Sequence, residues 1–234
     1  MQSRGSNVVV LCARIGRQLS EPALGRYLRL LPEDEREAVL RMRRWQDRQA
    51  RLFGRLLIHR GLRLCGAAAR LADLRYGEQG KPYLAGSEVE IGLTHSTDVV
   101  AAALCSGGMV GIDVEEAGKV ERTVLNKVMD AGLIAQADGW RGPIDATTRL
   151  WTAFESIVKA DGCGIVLGSK HVQLECDPQS PWPSGTLHGR RWHLAPLSPT
   201  DGSFGYVAAA RPIKALHIHH LQFAPPRNPS RNTS

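Results

Sequence analysis

The alternation of apolar and polar positions divides the chain into elements before any chemistry is considered. Val8–Arg14 is an apolar, β-branched run ending in a charge, the texture of a buried strand. Ser20-Glu21-Pro22 predicts a helix start, with an N-cap hydroxyl followed by an early proline. Leu31-Pro32-Glu33-Asp34-Glu35 predicts a second, its acids favouring the first turn. A helical pattern then runs from Glu35 to Leu64 with one or two breaks. Leu52, Leu56 and Leu57 form its apolar stripe, while Arg44, Arg48, Arg51 and Arg55 recur at three- and four-residue steps along another side.

Beyond Gly61 strands prevail. Tyr76–Tyr83 is turn-rich, and Val89–Ser96 reads as a strand ending in Thr94-His95-Ser96. Val99–Leu104 and Met109–Glu115, joined by Ser106-Gly107-Gly108, predict a hairpin. Val120–Met129 is a modest helix and Gly139–Pro143 a loop. Asp145 or Thr147 caps a helix that passes through Trp151 to about Asp161, where Gly162-Cys163-Gly164 stops it. Strands follow at His171–Cys176, Arg190–Leu194, Tyr206–Ala210 and Ala215–Leu221, with Asp177–Gly189 a proline-rich loop. Each half thus holds helices followed by a small antiparallel sheet. The expectation is an α+β protein of two similar lobes: residues 1–107, residues 108–223, and a disordered tail over 224–234.

Composition narrows the class. The 234 residues are 43% hydrophobic and 23% charged, which excludes collagen, coiled coil and wholesale disorder. No apolar run approaches the roughly 18–20 residues that span a bilayer. Residues 1–14 lack the apolar core of a secretory signal, so a cytoplasmic protein without membrane contact is expected. Cys12, Cys65, Cys105, Cys163 and Cys176 are scattered, with no C-x-x-C spacing, and are expected to be reduced and mostly buried. The formal charge is +7, and 24 of the 30 basic residues are arginine. Eight arginines fall between Arg41 and Arg63 beside a single acid, Asp47. Such a segment suits a polyanionic partner, or else a solvated helix face.

Three stretches can carry chemistry. In Gly111-Ile112-Asp113-Val114-Glu115 a strand would project Asp113 and Glu115 from one side, about 7 Å apart at Cα, with Ile112 and Val114 facing a core. Paired carboxylates can seat a hard divalent cation; an acidic strand end is the plainer alternative. In Leu150–Ala160 a helix would place Glu155 and Lys159 at i, i+4, either a surface ion pair or a third carboxylate with an adjacent cation. Gly80-Lys81-Pro82 pins a loop that presents a lysine, and His95 ends its strand between two hydroxyl residues.

Taken in order, these stretches resemble the 4′-phosphopantetheinyl transferase superfamily, in its larger, pseudo-dimeric type. The family signature is an (I/V)G(I/V/T)D-x-E strand, some forty residues, and a W-(S/T)-x-K-E-(S/A)-x-x-K helix. Val110–Glu115 and Trp151–Lys159 match it, with 42 positions from Asp113 to Glu155. Gly80-Lys81-Pro82-Tyr83 is similar to the family's GKP loop and Thr94-His95-Ser96 to its S-H-S strand end. Asp47–Arg55 resembles its D-x-x-x-R-x-x-x-G-R helix, with Gly54 in place. The resemblance spans roughly residues 35–165.

The resemblance implies an enzyme that transfers 4′-phosphopantetheine from coenzyme A to a serine of an apo acyl or peptidyl carrier protein, releasing adenosine 3′,5′-bisphosphate. It implies Mg²⁺, or Mn²⁺ in its place, held by Asp113, Glu115 and Glu155. Glu155 would serve as base, with Lys159 and His95 catalytic beside it. Arg48 or Arg51, Lys81, Pro82, Thr94, His95, Asp113 and Lys159 would contact the cofactor. Phe154 stands where the family has lysine, which raises the alternative of a relative that binds carrier or coenzyme A without transfer. A monomer is expected, and no nucleic acid partner: the chain has few aromatics to stack on bases. His217, His219 and His220 have no acidic or cysteine companions in sequence, and His217 and His219 share one strand face.

Overall fold

The computed structural model describes residues 5–138, 145–168, 171–175 and 183–223. Eleven strands among these residues form two sheets. The first has the order β11(Ile213–Leu221)-β1(Ser6–Arg14)-β5(Val99–Ser106)-β4(Val89–His95)-β3(Pro82–Leu84)-β2(Leu74–Tyr76). The second runs β6(Val110–Glu116)-β10(Ser203–Ala209)-β9(Arg190–Leu197)-β8(Ser184–Leu187)-β7(Gln173–Glu175). Helices α1(Glu21–Leu28), α2(Glu33–Leu40) and α3(Trp45–Leu64) belong to the first sheet. Helices α4(Arg122–Val128), α5(Ala131–Asp138), α6(Ala146–Asp161) and the single turn α7(Ile165–Gly168) accompany the second. The fold is α+β with two helix-packed sheets, antiparallel except at β1–β11, which pair in parallel.

Period-two patterning explains the layering. Leu11, Ala13, Val100, Ala102 and Leu104 turn one face of β1 and β5 toward α3, where Leu52, Phe53, Leu57 and Ile58 are buried. The alternate residues Val8, Val10, Cys12, Ala101 and Ala103 face Val110, Ile112, Val114 and Val207 of the second sheet. Strands covered on both faces carry the unbroken apolar runs seen in the sequence. On the far side of the second sheet, Trp192, Tyr206, Ala153, Phe154 and Ile157 build the core beneath α6. The helices therefore lie outside and the sheets pack face to face.

Several local expectations change. Ser106–Gly108 does not close a hairpin, because β5 is hydrogen-bonded to β1 and β4 on its two edges and β6 pairs with β10 in the other sheet. Residues 184–187, expected within a loop, form β8, paired with β7 and β9. Ala131–Asp138 is helical, which the sequence reading did not anticipate. Ser20 precedes α1, but its hydroxyl makes no capping bond. Asp145 does cap α6, accepting from the Thr148 amide, and Gly162 ends that helix at φ 87°. Strand order also crosses the expected division at 107/108, since β11 completes the first sheet. Cys12 and Cys105 are buried, while Cys65 and Cys163 are half-buried; all four are free. The expected loop at 139–143, most of that at 177–189, Cys176 and the tail at 224–234 lie outside the described residues. Among the described residues no helix is long and apolar enough to cross a membrane.

Candidate active site

The site begins with a missing side chain. A Cβ on Gly111 of β6 would collide with the Ser156 carbonyl and the Ala160 amide, and would lie 2.7 Å from Ala160 Cα. Glycine lets α6 settle directly on the strand. Thr152 and Ser156 keep the same helix face slim and spend their hydroxyls on the backbone, bonding to the Thr148 and Ala153 carbonyls. A second close approach joins the sheets: a Cβ on Gly92 of β4 would stand 3.0 Å from Gly111 Cα. Three backbone segments from three elements thus converge on the next residues of β6.

Those residues are acidic. Asp113, 1% exposed, and Glu115 project from the side of β6 opposite Ile112 and Val114. Glu155 comes from α6, and oxygens of the three carboxylates lie within 4.8 Å of one another. Lys159, one helical turn on, donates to Asp113 Oδ1 at 2.6 Å and to Thr94 Oγ1 at 3.3 Å, and stands 3.4 Å from Glu155. Thr94, buried at the end of β4, donates to the same Asp113 oxygen at 3.0 Å. The other Asp113 oxygen, Oδ2, is buried without a hydrogen-bond partner.

Crowding shapes the charge states. Burial, then repulsion from Asp113 and Glu155, pushes the Glu115 carboxyl up to about 7. Burial and Asp113 likewise raise Glu155, against the pull of Lys159. Burial opposes the charge on Lys159, but Asp113 and Glu155 together outweigh it and raise its pKa. One lysine cannot balance three carboxylates. An all-oxygen donor set with one orphaned, buried carboxylate oxygen and surplus negative charge fits a hard divalent cation such as Mg²⁺.

Other expected site residues surround this centre at different distances. Lys81 and Pro82 share with Glu155, Lys159, Gly92 and Leu93 the wall of a cavity of about 360 Å³. Lys81 Nζ donates to Glu90 at 2.9 Å and to the Ala160 carbonyl at 2.7 Å, tying the loop to the end of α6. His95 ends β4; partial burial and the Lys159 charge lower its pKa, against Asp47 and Asp113. Phe154 points away, 1% exposed, against Trp151 in the core beneath α6.

The arginine ladder is not a uniform exposed face. Arg55 is 2% exposed and donates to Glu35 Oε2 at 2.7 Å and to the Tyr76 hydroxyl. Arg51 lies 3.3 Å from the same Glu35 oxygen, and Tyr76 donates to the other at 3.2 Å. Arg48 donates to the Met42 carbonyl at 3.1 Å. None of these contacts brings Arg48 or Arg51 to the carboxylates. Glu35 and Glu90 were not singled out from sequence: Glu35 reads as a first-turn acid, and nothing local links it to an arginine 20 positions on.

Comparison with known proteins shows what this stretch is similar to. The family model "4′-phosphopantetheinyl transferase superfamily" matches residues 109–210, from β6 through β10. The 4′-phosphopantetheinyl transferase AcpT of Salmonella typhi is 36% identical over 116 residues, covering 47% of this chain and 57% of its own length. A protein named putative 4′-phosphopantetheinyl transferase from Haemophilus influenzae is 29% identical over 131 residues, covering 52% of this chain and 54% of its own. The 4′-phosphopantetheinyl transferase gsp of Aneurinibacillus migulanus is 25% identical over 138 residues, 58% of this chain and 57% of its own. The chain thus spans little more than half the length of the curated transferases it matches.

Proposed function

We propose that this chain is a 4′-phosphopantetheinyl transferase of the larger, pseudo-dimeric type, acting on a serine of an apo acyl or peptidyl carrier protein with coenzyme A as donor. The observation that carries the reading is the meeting of Asp113, Glu115 and Glu155 within 4.8 Å beside Lys159. Mg²⁺ held by these carboxylates would neutralise a pyrophosphate that otherwise repels an oxygen nucleophile.

The chain's own groups account for the rest. Thr94 and Lys159 both bond Asp113 Oδ1, fixing that carboxylate so that Oδ2 is the atom left to coordinate. Glu155, its pKa raised, is a base suited to accept the serine proton. The serine oxygen then bonds to the β-phosphorus as the bond to the bridging oxygen breaks, and adenosine 3′,5′-bisphosphate leaves. Lys159 and Lys81 offset the charge that gathers on the departing phosphate, and Pro82 holds the loop that presents Lys81. His95, with Arg48 or Arg51 on α3, would receive the outlying phosphate. The net charge of +7 suits an acidic carrier.

Phe154 does not favour the binding-only alternative. Its ring belongs to the core, so its presence removes no group from the carboxylate cluster. Incubation with coenzyme A, Mg²⁺ and a panel of apo carrier proteins, followed by intact mass, tests the reading. Addition of the phosphopantetheine mass to at least one carrier is expected, with loss of transfer in Asp113→Ala. No addition to any carrier, or an unimpaired Asp113→Ala, overturns it.

A further inference from the structure

A second group of ligating side chains lies at the far end of α6. Asp161, Cys163 and His188 each offer one donor atom, and these atoms lie within 4.8 Å of one another. Asp161 Oδ1 is 3.6 Å from His188 Nδ1. Tetrahedral coordination with bonds of about 2.0–2.3 Å brings donors to about 3.3–3.8 Å apart, so the cluster needs to contract by only about 1 Å. We propose that Asp161, Cys163 and His188 form a separate site for a borderline-soft divalent cation of the Zn²⁺ class. It stands apart from the transferase reading and does not depend on it.

The backbone around the cluster supports this. Cys163 sits between Gly162 at φ 87° and Gly164 at φ 79°, two left-handed residues that fold the chain back at the helix end. His188 and Gly189 form the turn between β8 and β9, and both have positive φ. At 53°, His188 is the one non-glycine in that region among the described residues. Glycine meets no steric penalty in such a turn, whereas histidine adopts it at some conformational cost. Its side chain is 45% exposed and lies against the Asp161 carboxylate.

A fourth donor stands beside the three. The His171 ring lies 5.3 Å from the His188 ring, centroid to centroid, tilted by 51°. Together the four would supply sulfur, two imidazole nitrogens and one carboxylate oxygen. This differs in kind from the all-oxygen set at Asp113, and ligand softness sorts the two cations. On binding, the Cys163 thiol releases its proton to solvent, exchanging a weak 3.6 Å contact with the Gly164 carbonyl for a metal–thiolate bond.

Cobalt is the probe. Tag-free full chain, stripped of metal and then supplied with saturating Mg²⁺ to fill the carboxylate cluster, is titrated with Co²⁺. The expected result is one equivalent bound, with tetrahedral d–d bands in the visible and a thiolate-to-cobalt band in the near ultraviolet, both erased by Zn²⁺. Cys163→Ser removes the thiolate band. His188→Asn, which keeps a residue tolerant of left-handed backbone, weakens binding by more than about tenfold. Cys176→Ser leaves the spectrum unchanged. The proposal is overturned by a Mg²⁺-loaded wild type with no tetrahedral signal, by a thiolate band that survives Cys163→Ser, or by one that vanishes in Cys176→Ser. If Cys163→Ser does not fold, the wild-type titration and His188→Asn decide.

Discussion

Gly111→Ala is the most direct probe of how the fold builds its site. The added methyl would meet two backbone atoms of α6, the Ser156 carbonyl and the Ala160 amide, and lie 2.7 Å from Ala160 Cα. Ordinary contact for such a carbon is about 3.5–4 Å, so helix and strand must separate by about 1 Å. Neither neighbour is a flexible side chain that can swing aside. Overpacking of this kind costs about 1–3 kcal/mol. For a chain of this size each kcal/mol lowers Tm by about 2–4 °C, giving an expected drop of about 2–12 °C by circular dichroism. The same shift draws Glu155 and Lys159 away from Asp113, stretching the 2.6 Å bond that fixes its carboxylate. Displacement by about 1 Å can cost about 100-fold in turnover, so transfer to a carrier should fall by that order. A Gly111→Ala protein that melts within 1 °C of wild type (about 0.3–0.5 kcal/mol) and keeps full activity would refute the contact and the role assigned to it.

Other substitutions test neighbouring claims. Phe154→Lys places a charge in the core beneath α6 and should lose about 3–5 kcal/mol with no gain in transfer, measured by denaturant unfolding; unchanged stability would show that the ring is not core. Glu35→Ala strands the buried Arg55 guanidinium and should cost about 3–5 kcal/mol, whereas Tyr76→Phe should cost about 1. Because the folded Glu115 carboxyl is raised to about 7, the metal-free protein binds an extra proton in this region. Stability therefore falls as pH rises from the ordinary carboxylate range through 7. Relative to Glu115→Gln, wild type should lose about 1–2 kcal/mol across that window, less than the full shift implies because the side chain is partly solvated; parallel curves would contradict the crowding.

What was legible in the sequence was what short-range periodicity encodes. Strand alternation put Asp113 and Glu115 on one side of β6, and helical spacing put Glu155 next to Lys159. The capping of α6 by Asp145 and its end at Gly162 were equally local. Errors arose where distant partners decide. Ser106-Gly107-Gly108 has the chemistry of a tight turn, yet β5 has no free edge for β6 to join. Arg55 repeats the spacing of Arg44, Arg48 and Arg51, but Glu35 on another helix draws it fully inside. Residues 184–187 are short and rich in small side chains, and become a strand only because β7 and β9 flank them. The Phe154 position follows from which face of α6 meets Trp192 and Tyr206, and no motif records that.

The parallel ladder that joins residues 6–13 to residues 213–221 also dictates an order of events during synthesis. The opening strand leaves the ribosome without its outer neighbour and must wait for some two hundred further residues to emerge. Until then an apolar β1 edge stays open to other nascent chains, a hazard typical of long-range pairing. Completion of the first sheet is thereby delayed until translation has passed through the carboxylate-bearing stretch.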